Sequence, residues 1–169
     1  MINIKKGTAH TLQQSDKLAL AKAAEGVVSG MLVHVDSTTG EAIKGVVSQG
    51  VADILGFAIN NQADADVIES GKLGLILLDG NSVIETDQAS ATINSSNYPV
   101  GTRLGGDLAT GTVKAWASGD RVIGYVEGIR SLPVEAQISQ AYKDRNGNQF
   151  TNTSYQPTTK ALLGIKLAV

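Results

Sequence analysis

The chain has no cysteine, so it can form neither a disulfide framework nor a thiolate metal site. Aromatic residues make up only 4% of its 169 residues although 42% are hydrophobic, so the apolar content is mostly Val, Ile, Leu and Ala. Such small or branched side chains are typical of narrow sheets and barrels. The absence of cysteine also predicts that the protein is made in a reducing cytosol.

Clusters of like charge are missing as well. The net charge is −2, and the Lys and Arg residues are too scattered to neutralise a run of nucleic-acid phosphates. The longest strongly apolar run, residues 73–78, is far too short to cross a bilayer, and residues 1–6 lack the apolar stretch of a secretory signal. We therefore expect no direct nucleic-acid partner and no membrane partner.

The chain is rich in short apolar stretches that end at Gly, Asn, Asp or Ser. This pattern predicts β-strands joined by turns, at roughly ten-residue intervals. Residues 73–78 are apolar on both faces and predict a central strand, and Asp79-Gly80-Asn81 predicts a hairpin turn into the next strand. The predicted strands up to this point are residues 31–36, 41–47, 54–59, 73–78 and 82–86.

The remaining segments are less clear. Residues 17–25 fit either a strand or a helix capped by Ser15-Asp16, and the β character of the next segments favours the strand. Residues 134–144 predict a second possible helix, with Pro133 near its first turn. Beyond it lie a polar turn centred on Asn146-Gly147, a loop over 151–159 and a final strand over 160–169 that we expect to be held by its own sheet or by a neighbour.

An internal repeat organises the chain. In the first copy, about residues 26–60, Gly30 is followed by Asp36 and then by Thr39-Gly40. In the second, about 97–129, Gly101, Asp107 and Thr110-Gly111 occur at identical spacing. After a three-residue deletion, Ile54-Leu55-Gly56-Phe57-Ala58 aligns with Val122-Ile123-Gly124-Tyr125-Val126, and Leu162-Leu163-Gly164-Ile165 looks like a further fragment of that element. Glycine inside a strand indicates a bulge or a close backbone approach.

These patterns predict an all-β or mainly β fold: a small barrel, β-tulip-like domain or sandwich built on a duplicated β unit, with one short helix. We expect an extended N-terminal arm over residues 1–14 and a β-rich domain over 15–169. Ile2 and Ile4 alternate in the arm, as a strand that adds to the sheet edge of another protein would. A frayed terminus is the alternative interpretation.

Residues that carry chemistry are few and dispersed. His10 and His34 lack companion ligands or a nucleophile at a suitable spacing, so we interpret both as structural or surface residues. Asp64, Asp66 and Glu69 only loosely approach a calcium loop, and a solvated loop is the favoured interpretation. The paired glycines Gly105-Gly106 precede another turn rather than a phosphate-binding helix. We therefore predict no catalytic residue, no metal site and no cofactor.

The repeated unit resembles the capsid decoration, or cement, proteins of tailed bacteriophages. The likeness covers about residues 20–130 and is carried by residues 26–40 with 54–58, and by 99–104 with 110–111 and 122–125. It implies a small β-barrel or β-tulip domain on the outside of the virion head, made in the host cytoplasm. Such a domain would bridge major capsid protein subunits, as a homodimer or homotrimer. Ile2 and Ile4 would then be capsid contacts.

Two other classes of function stay open at the sequence level. One is another phage or bacterial surface module, such as a head fibre, a tail component or an adhesin domain. Carbohydrate binding there would prefer exposed aromatic side chains, and the chain has one Trp, four Tyr and two Phe. The other is a small β-barrel enzyme or ligand-binding protein, which would need a convergent polar pocket.

Overall fold

The computed structural model describes residues 2–6, 18–23, 26–45, 54–78, 80, 82–143 and 145–168. Within them the chain is mainly β, which confirms the predicted fold class. The described ranges contain one helix, α1 (Ala65–Ser70). The strands are β1 (Ile2–Lys6), β2 (Leu18–Ala23), β3 (Leu32–Val35), β4 (Glu41–Lys44), β5 (Ile54–Ala58), β6 (Lys72–Leu77), β7 (Val83–Thr86), β8 (Arg103–Gly106), β9 (Val113–Ala115), β10 (Gly124–Lys143) and β11 (Gln149–Leu167).

Five strands of the first half form a ring of pairings in the order β2-β4-β3-β5-β6. The ring closes because β2 pairs in parallel with β4 and antiparallel with β6. The segment that fitted either a helix or a strand is thus a strand over Leu18–Ala23, as its context favoured. Strand β6 lies between β2 and β5, which confirms its predicted central position.

The second sheet has the order β1-β7-β11-β10-β8-β9. Its strand β7 pairs with β1 and β11, and not with β6, which belongs to the first sheet. The predicted hairpin between β6 and β7 is therefore wrong: the chain crosses from one sheet to the other there. Both faces of β7 are buried. Packing in the core therefore determines which strands pair with β7, and the preceding Asp-Gly turn signal does not. Asp79 and Asn81 themselves lie outside the described residues.

The duplication is visible in the backbone hydrogen bonds. In the first copy Gly30 N donates to Ala58 O at 2.8 Å; in the second Gly101 N donates to Val126 O, also at 2.8 Å. The central glycines match too, because Gly56 pairs with Val33 and Gly124 with Leu104. These partners keep the spacing of the sequence repeat and its three-residue deletion. The register of one copy is therefore reproduced in the other.

The turns of the two copies share the same side-chain hydrogen bonds. The carboxylate of Asp36 accepts from the backbone N–H of Thr39 at 2.8 Å, and that of Asp107 accepts from Thr110 at 2.7 Å. These backbone hydrogen bonds are the main cause of the lowered pKa of each aspartate. The glycine that follows has φ 70° at Gly40 and 71° at Gly111, a conformation that favours glycine.

The duplicated unit extends beyond the predicted three strands. Strand β6 returns alongside β5, with Leu77 opposite Gly56, and β11 returns alongside β10, with Leu167 opposite Gly124. Leu163-Gly164-Ile165 therefore corresponds to Leu73-Gly74-Leu75 of β6. The prediction that it repeats the Gly-containing third strand was wrong, because a Leu-Gly pair occurs in both the third and the fourth strand of the unit.

A shared core joins the copies. One buried cluster combines Leu32, Phe57 and Ile76 of the first copy with residues of the second such as Leu104 and Ile165. A smaller cluster, which includes Val33, Leu73 and Leu75, belongs to the first copy alone. The body of the protein is thus two β units packed through one apolar core.

Candidate protein-binding ribbon

The two copies differ most in the connection between their third and fourth strands. In the first copy β5 and β6 are joined by residues 59–71, which contain α1. In the second copy β10 and β11 continue past the body as a two-stranded antiparallel ribbon, paired from Ser131↔Ala161 out to Lys143↔Gln149. We call residues 131–143 with 149–161 the ribbon. Thirteen residues in each strand of the ribbon pair only with the other strand.

This ribbon overturns two predictions and confirms a third. Residues 134–144 were predicted as a possible helix and 151–159 as a loop, but Val134 to Lys143 and Thr151 to Thr159 lie in β10 and β11. Glu135, Ala136 and Gln137 have high helix propensities, but propensity is a weak determinant of structure, and pairing with a Thr-rich strand overrides it. The polar turn at Asn146-Gly147 is confirmed as the tip, where Gly147 has φ 85°. The helix found among the described residues instead lies at Ala65–Ser70, within the segment expected to be a solvated loop.

The two faces of the ribbon differ in polarity. Side chains alternate between the faces of a strand, and along β10 the half-buried positions alternate with exposed ones. The half-buried positions are Leu132, Val134, Ala136 and Ile138, which we call the apolar face. None of these four residues belongs to either buried cluster of the body. The ribbon therefore carries an apolar stripe that is separate from the core.

Prolines occupy both long edges of the ribbon. Pro133, on β10, lies opposite Thr159, and Pro157, on β11, lies opposite Glu135. Proline has no N–H to donate to a ladder, and within sheets it is confined to edges and bulges. The two pairs that contain the prolines are two residues apart along the ladder, so both are hydrogen-bonded or both are non-hydrogen-bonded pairs. Because proline cannot donate, both are non-hydrogen-bonded pairs, in which the proline nitrogen is directed away from the partner strand. Each edge thus lacks a donor near the base of the ribbon, which hinders the addition of another strand there.

Ion pairs fix the base of the ribbon to the body. Arg130, just before the ribbon on β10, donates from Nε to Glu85 Oε1 at 3.0 Å and from Nη2 to Glu85 Oε2 at 2.5 Å. Lys160, in β11, forms an ion pair with Asp87 just after β7. Partial burial raises the pKa of Asp87, but hydrogen bonds and nearby positive charge, with Lys160 as the largest contributor, lower it more, to about 2. Both strands of the ribbon are therefore held at their base by acidic residues of one segment.

The two residues predicted to contact a capsid lie elsewhere. Ile2 and Ile4 are in β1, where they pair with Thr86 and Ile84 of β7. This places the first part of the predicted N-terminal arm at an edge of the protein's own sheet, while residues 7–14 lie outside the described residues. The capsid contact of Ile2 and Ile4 stays a prediction. The outer edge of β1 has no partner strand among the described residues.

The residues that the sequence offered as candidates for catalysis or metal binding, where the structure describes them, lie outside the ribbon. The His34 ring Nδ1 lies 3.2 Å from Gly45 O, in the hairpin of the first copy. Asp64 is the residue before α1, and its carboxylate accepts from the backbone N–H of Asn61 at 2.8 Å and from the side-chain amide at 2.9 Å. Hydrogen bonds from Asn61 lower the pKa of Asp64. His10 lies outside the described residues. These contacts give His34 and Asp64 roles in local structure.

No known protein family, curated protein or solved structure matches this chain. In the described part of the chain, no helix has both the length and the apolar character needed to cross a membrane. The ribbon could not have been predicted from the sequence repeat, because it lies where the second copy departs from the first. The available signals were the alternating Leu132, Val134, Ala136 and Ile138, and the Asn-Gly turn beyond them.

Proposed function

We propose that this chain is a non-enzymatic structural protein that binds the outer surface of a tailed-phage capsid and bridges major capsid protein subunits. The observation that carries the proposal is the ribbon, an extended surface outside the core that offers apolar and hydrogen-bonding contacts. A duplicated body with a shared core and such an extension suits a protein that presents contact surfaces to its neighbours. The resemblance of the repeated unit to decoration proteins supplies the capsid as the partner.

The proposed capsid contact is the outer edge of β1. An edge strand can accept a strand from another protein through main-chain hydrogen bonds. Ile2 and Ile4, the residues predicted to contact the capsid, lie in this strand, which pairs with β7 on its other side. Repetition of such a weak contact over a symmetric shell gives avidity without a single tight site.

Sedimentation with emptied heads of the phage that encodes the chain tests the proposal. We expect saturable binding at a fixed ratio to the major capsid protein and an increase in the temperature at which the heads open. Ile2→Ser/Ile4→Ser should weaken binding, while its urea midpoint reports separately on folding. Absence of saturable binding by the native chain would contradict the proposed function, and unchanged binding of the folded variant would contradict the β1 contact alone.

A further inference from the structure

The second copy exposes a row of positions that the first copy buries. In the first copy three side chains pair in a row across β3, β5 and β6, and all three are fully buried in the shared core: Leu32, Phe57 and Ile76. The duplicated register places Arg103, Tyr125 and Lys166 at the equivalent positions of β8, β10 and β11. Tyr125 is 40% exposed, and Arg103 and Lys166 are exposed too. The core row of one copy thus corresponds to a surface row of the other.

Trp116 extends the surface row by one position. Its backbone N donates to Arg103 O at 3.0 Å, just as Gly45 N donates to Leu32 O at 2.9 Å in the first copy. The Arg103 guanidinium lies 5.7 Å from the centroid of the Trp116 ring, so both side chains are on one face of the sheet. Residues that pair across neighbouring strands share that face. We call Lys166, Tyr125, Arg103 and Trp116 the cation–aromatic row.

Contacts around the row fix the orientation of its tryptophan and leave its arginine without a counter-ion. Trp116 Nε1 donates to Asp120 O at 2.8 Å. The Asp120 carboxylate forms an ion pair with Lys114 at 3.0 Å and accepts from Ala117 N at 2.8 Å. Arg103 itself forms no ion pair within the described residues. A guanidinium stacked on an aromatic ring still directs its N–H donors outward in its own plane, where a carboxylate can accept them.

The composition of the row indicates a protein-binding surface. Trp, Tyr and Arg are the residue types that contribute most to the binding energy of protein interfaces. The chain has only one Trp and four Tyr, yet the Trp and one Tyr flank the exposed Arg103. With Lys166 the row alternates cations and aromatic rings, so its electrostatic complement is a carboxylate.

The limits of the positive charge favour a peptide over a nucleic acid. A Cβ atom at Gly164 would lie 3.7 Å from Glu127 Oε2, and one at Gly105 would lie 3.1 Å from Asp120 Oδ2, so a carboxylate lies beside the row over both β11 and β8. A run of phosphates needs clustered cations and would be repelled by these carboxylates. At about 4.8 Å between strands the row is about 14 Å long, which matches about four residues of an extended peptide.

We propose that the cation–aromatic row binds an extended acidic segment of another protein. Arg103 donates to a carboxylate of that segment, and Tyr125 and Trp116 contact its aliphatic parts on either side. The row crosses β11, β10 and β8, whereas the capsid contact proposed above is the outer edge of β1. Binding at the row requires no capsid, so this inference goes beyond the proposed function.

The fluorescence of Trp116 tests the proposal, because Trp116 is the only tryptophan of the chain. The probe is a short peptide of alternating glutamate and valine with blocked ends, titrated into the full chain at low ionic strength. We expect a saturable change in the emission of Trp116. The same peptide with glutamine in place of glutamate should bind about tenfold more weakly, because it offers no carboxylate to Arg103.

Two matched variants locate the binding site. Arg103→Gln should weaken binding of the glutamate peptide about tenfold. Arg145→Gln removes an exposed cation at the ribbon tip and should leave binding within about twofold of the native value. The urea midpoint of each variant reports on folding, and the comparison of the two peptides on the native chain decides without any variant. The inference is overturned by no saturable change, by equal binding of the two peptides, or by equal effects of the two folded variants.

Other occupants of the row give different results. Tighter binding of a short deoxythymidine oligonucleotide than of the glutamate peptide would overturn the inference, because a nucleic acid would then be the ligand. A lower mass of Arg103→Gln than of the native chain in light scattering would also overturn it, since a second copy would then cover the row. A chain that binds the glutamate peptide through Arg103 but does not bind emptied heads contradicts the proposed function alone.

Discussion

Arg130 forms a double hydrogen bond with Glu85 at the point where β10 leaves the body. The Glu85 side chain is 1% exposed and that of Arg130 is 42% exposed, so the carboxylate is the desolvated member of the pair. A buried charge that loses its counter-charge is strongly destabilising, whereas the loss of a partly exposed one costs less. Loss of Arg130 should therefore destabilise the body more than the exposed position of Arg130 suggests.

Replacement of Arg130 should show how much the buried carboxylate depends on it. We expect Arg130→Met to lower the free energy of unfolding by about 2–3 kcal/mol, less than for a fully buried pair because the guanidinium is partly solvated. Urea denaturation of the full chain measures this. The control Arg145→Met removes an exposed cation near the ribbon tip and should change stability by less than about 0.5 kcal/mol. Equal losses in the two variants would contradict this account, and Glu85→Gln in the Arg130→Met background should recover part of the loss.

The neighbouring pair Asp87–Lys160 should make stability depend on pH. Because the pKa of Asp87 is lowered from 3.8 to about 2, the folded state binds this proton less tightly than the unfolded state does. The resulting stability is fully present above the unfolded value, near pH 4, and is lost as the pH falls through about 2. Since Lys160 is 44% exposed, solvent screening limits the contribution of the pair to about 1 kcal/mol.

Lys160→Met isolates this contribution. At neutral pH the variant should be less stable than the native chain by about 1 kcal/mol, and near pH 2 the difference should shrink because Asp87 is then partly protonated in both. Urea denaturation at the two pH values measures the difference. Lys143→Met, which removes an exposed lysine of the ribbon, should show no such pH dependence. A Lys160→Met difference that is constant with pH would refute the linkage.

The central glycine of the third strand should tolerate no side chain. A Cβ atom at Gly124 would clash with the carbonyl oxygen of Lys166, whereas one at Gly128, in the same strand, would meet no atom within 4 Å. We expect Gly124→Ala to lower the free energy of unfolding by about 2–3 kcal/mol through overpacking against backbone, and Gly128→Ala to change it by less than about 0.5 kcal/mol. Chemical denaturation of the two variants measures both. Similar values for both would show that the close approach at Gly124 is not restrictive.

The sequence predicted the features that depend on local pattern and missed those that depend on pairing between distant segments. The spacing of Gly30, Asp36 and Gly40 predicted the duplicated unit because each of these residues acts within its own turn, through a positive φ or an Asp carboxylate. The partners of β7 and the ribbon depend on contacts between distant segments. In residues 134–144 an alternation of apolar residues, typical of a strand, occurs in a composition that is also compatible with a helix. Pairing with residues 149–161 makes this segment a strand, but the sequence of 149–161 taken alone predicts a polar loop.

The two copies meet at a turn where equivalent glycines have different surroundings. Leu32 N donates to Gly111 O at 2.8 Å, so the turn of the second copy lies against the hairpin of the first. A Cβ atom at Gly111 would lie 2.5 Å from Leu32 O, while one at Gly40 would meet no atom within 4 Å. With φ of 71° and 70°, both positions impose the same backbone strain on alanine, about 1–2 kcal/mol.

Gly40→Ala and Gly111→Ala therefore separate backbone strain from contact between the copies. Gly40→Ala should cost only the strain, whereas Gly111→Ala should cost about 1–3 kcal/mol more because the β3–β4 hairpin must move away from the added methyl group. The difference between their free energies of unfolding in urea is the measurement. Since the shared core spans both copies, we expect each variant to unfold in a single transition. Equal losses would mean that the turn of the second copy is not held against the first, and two transitions would mean that the copies unfold separately.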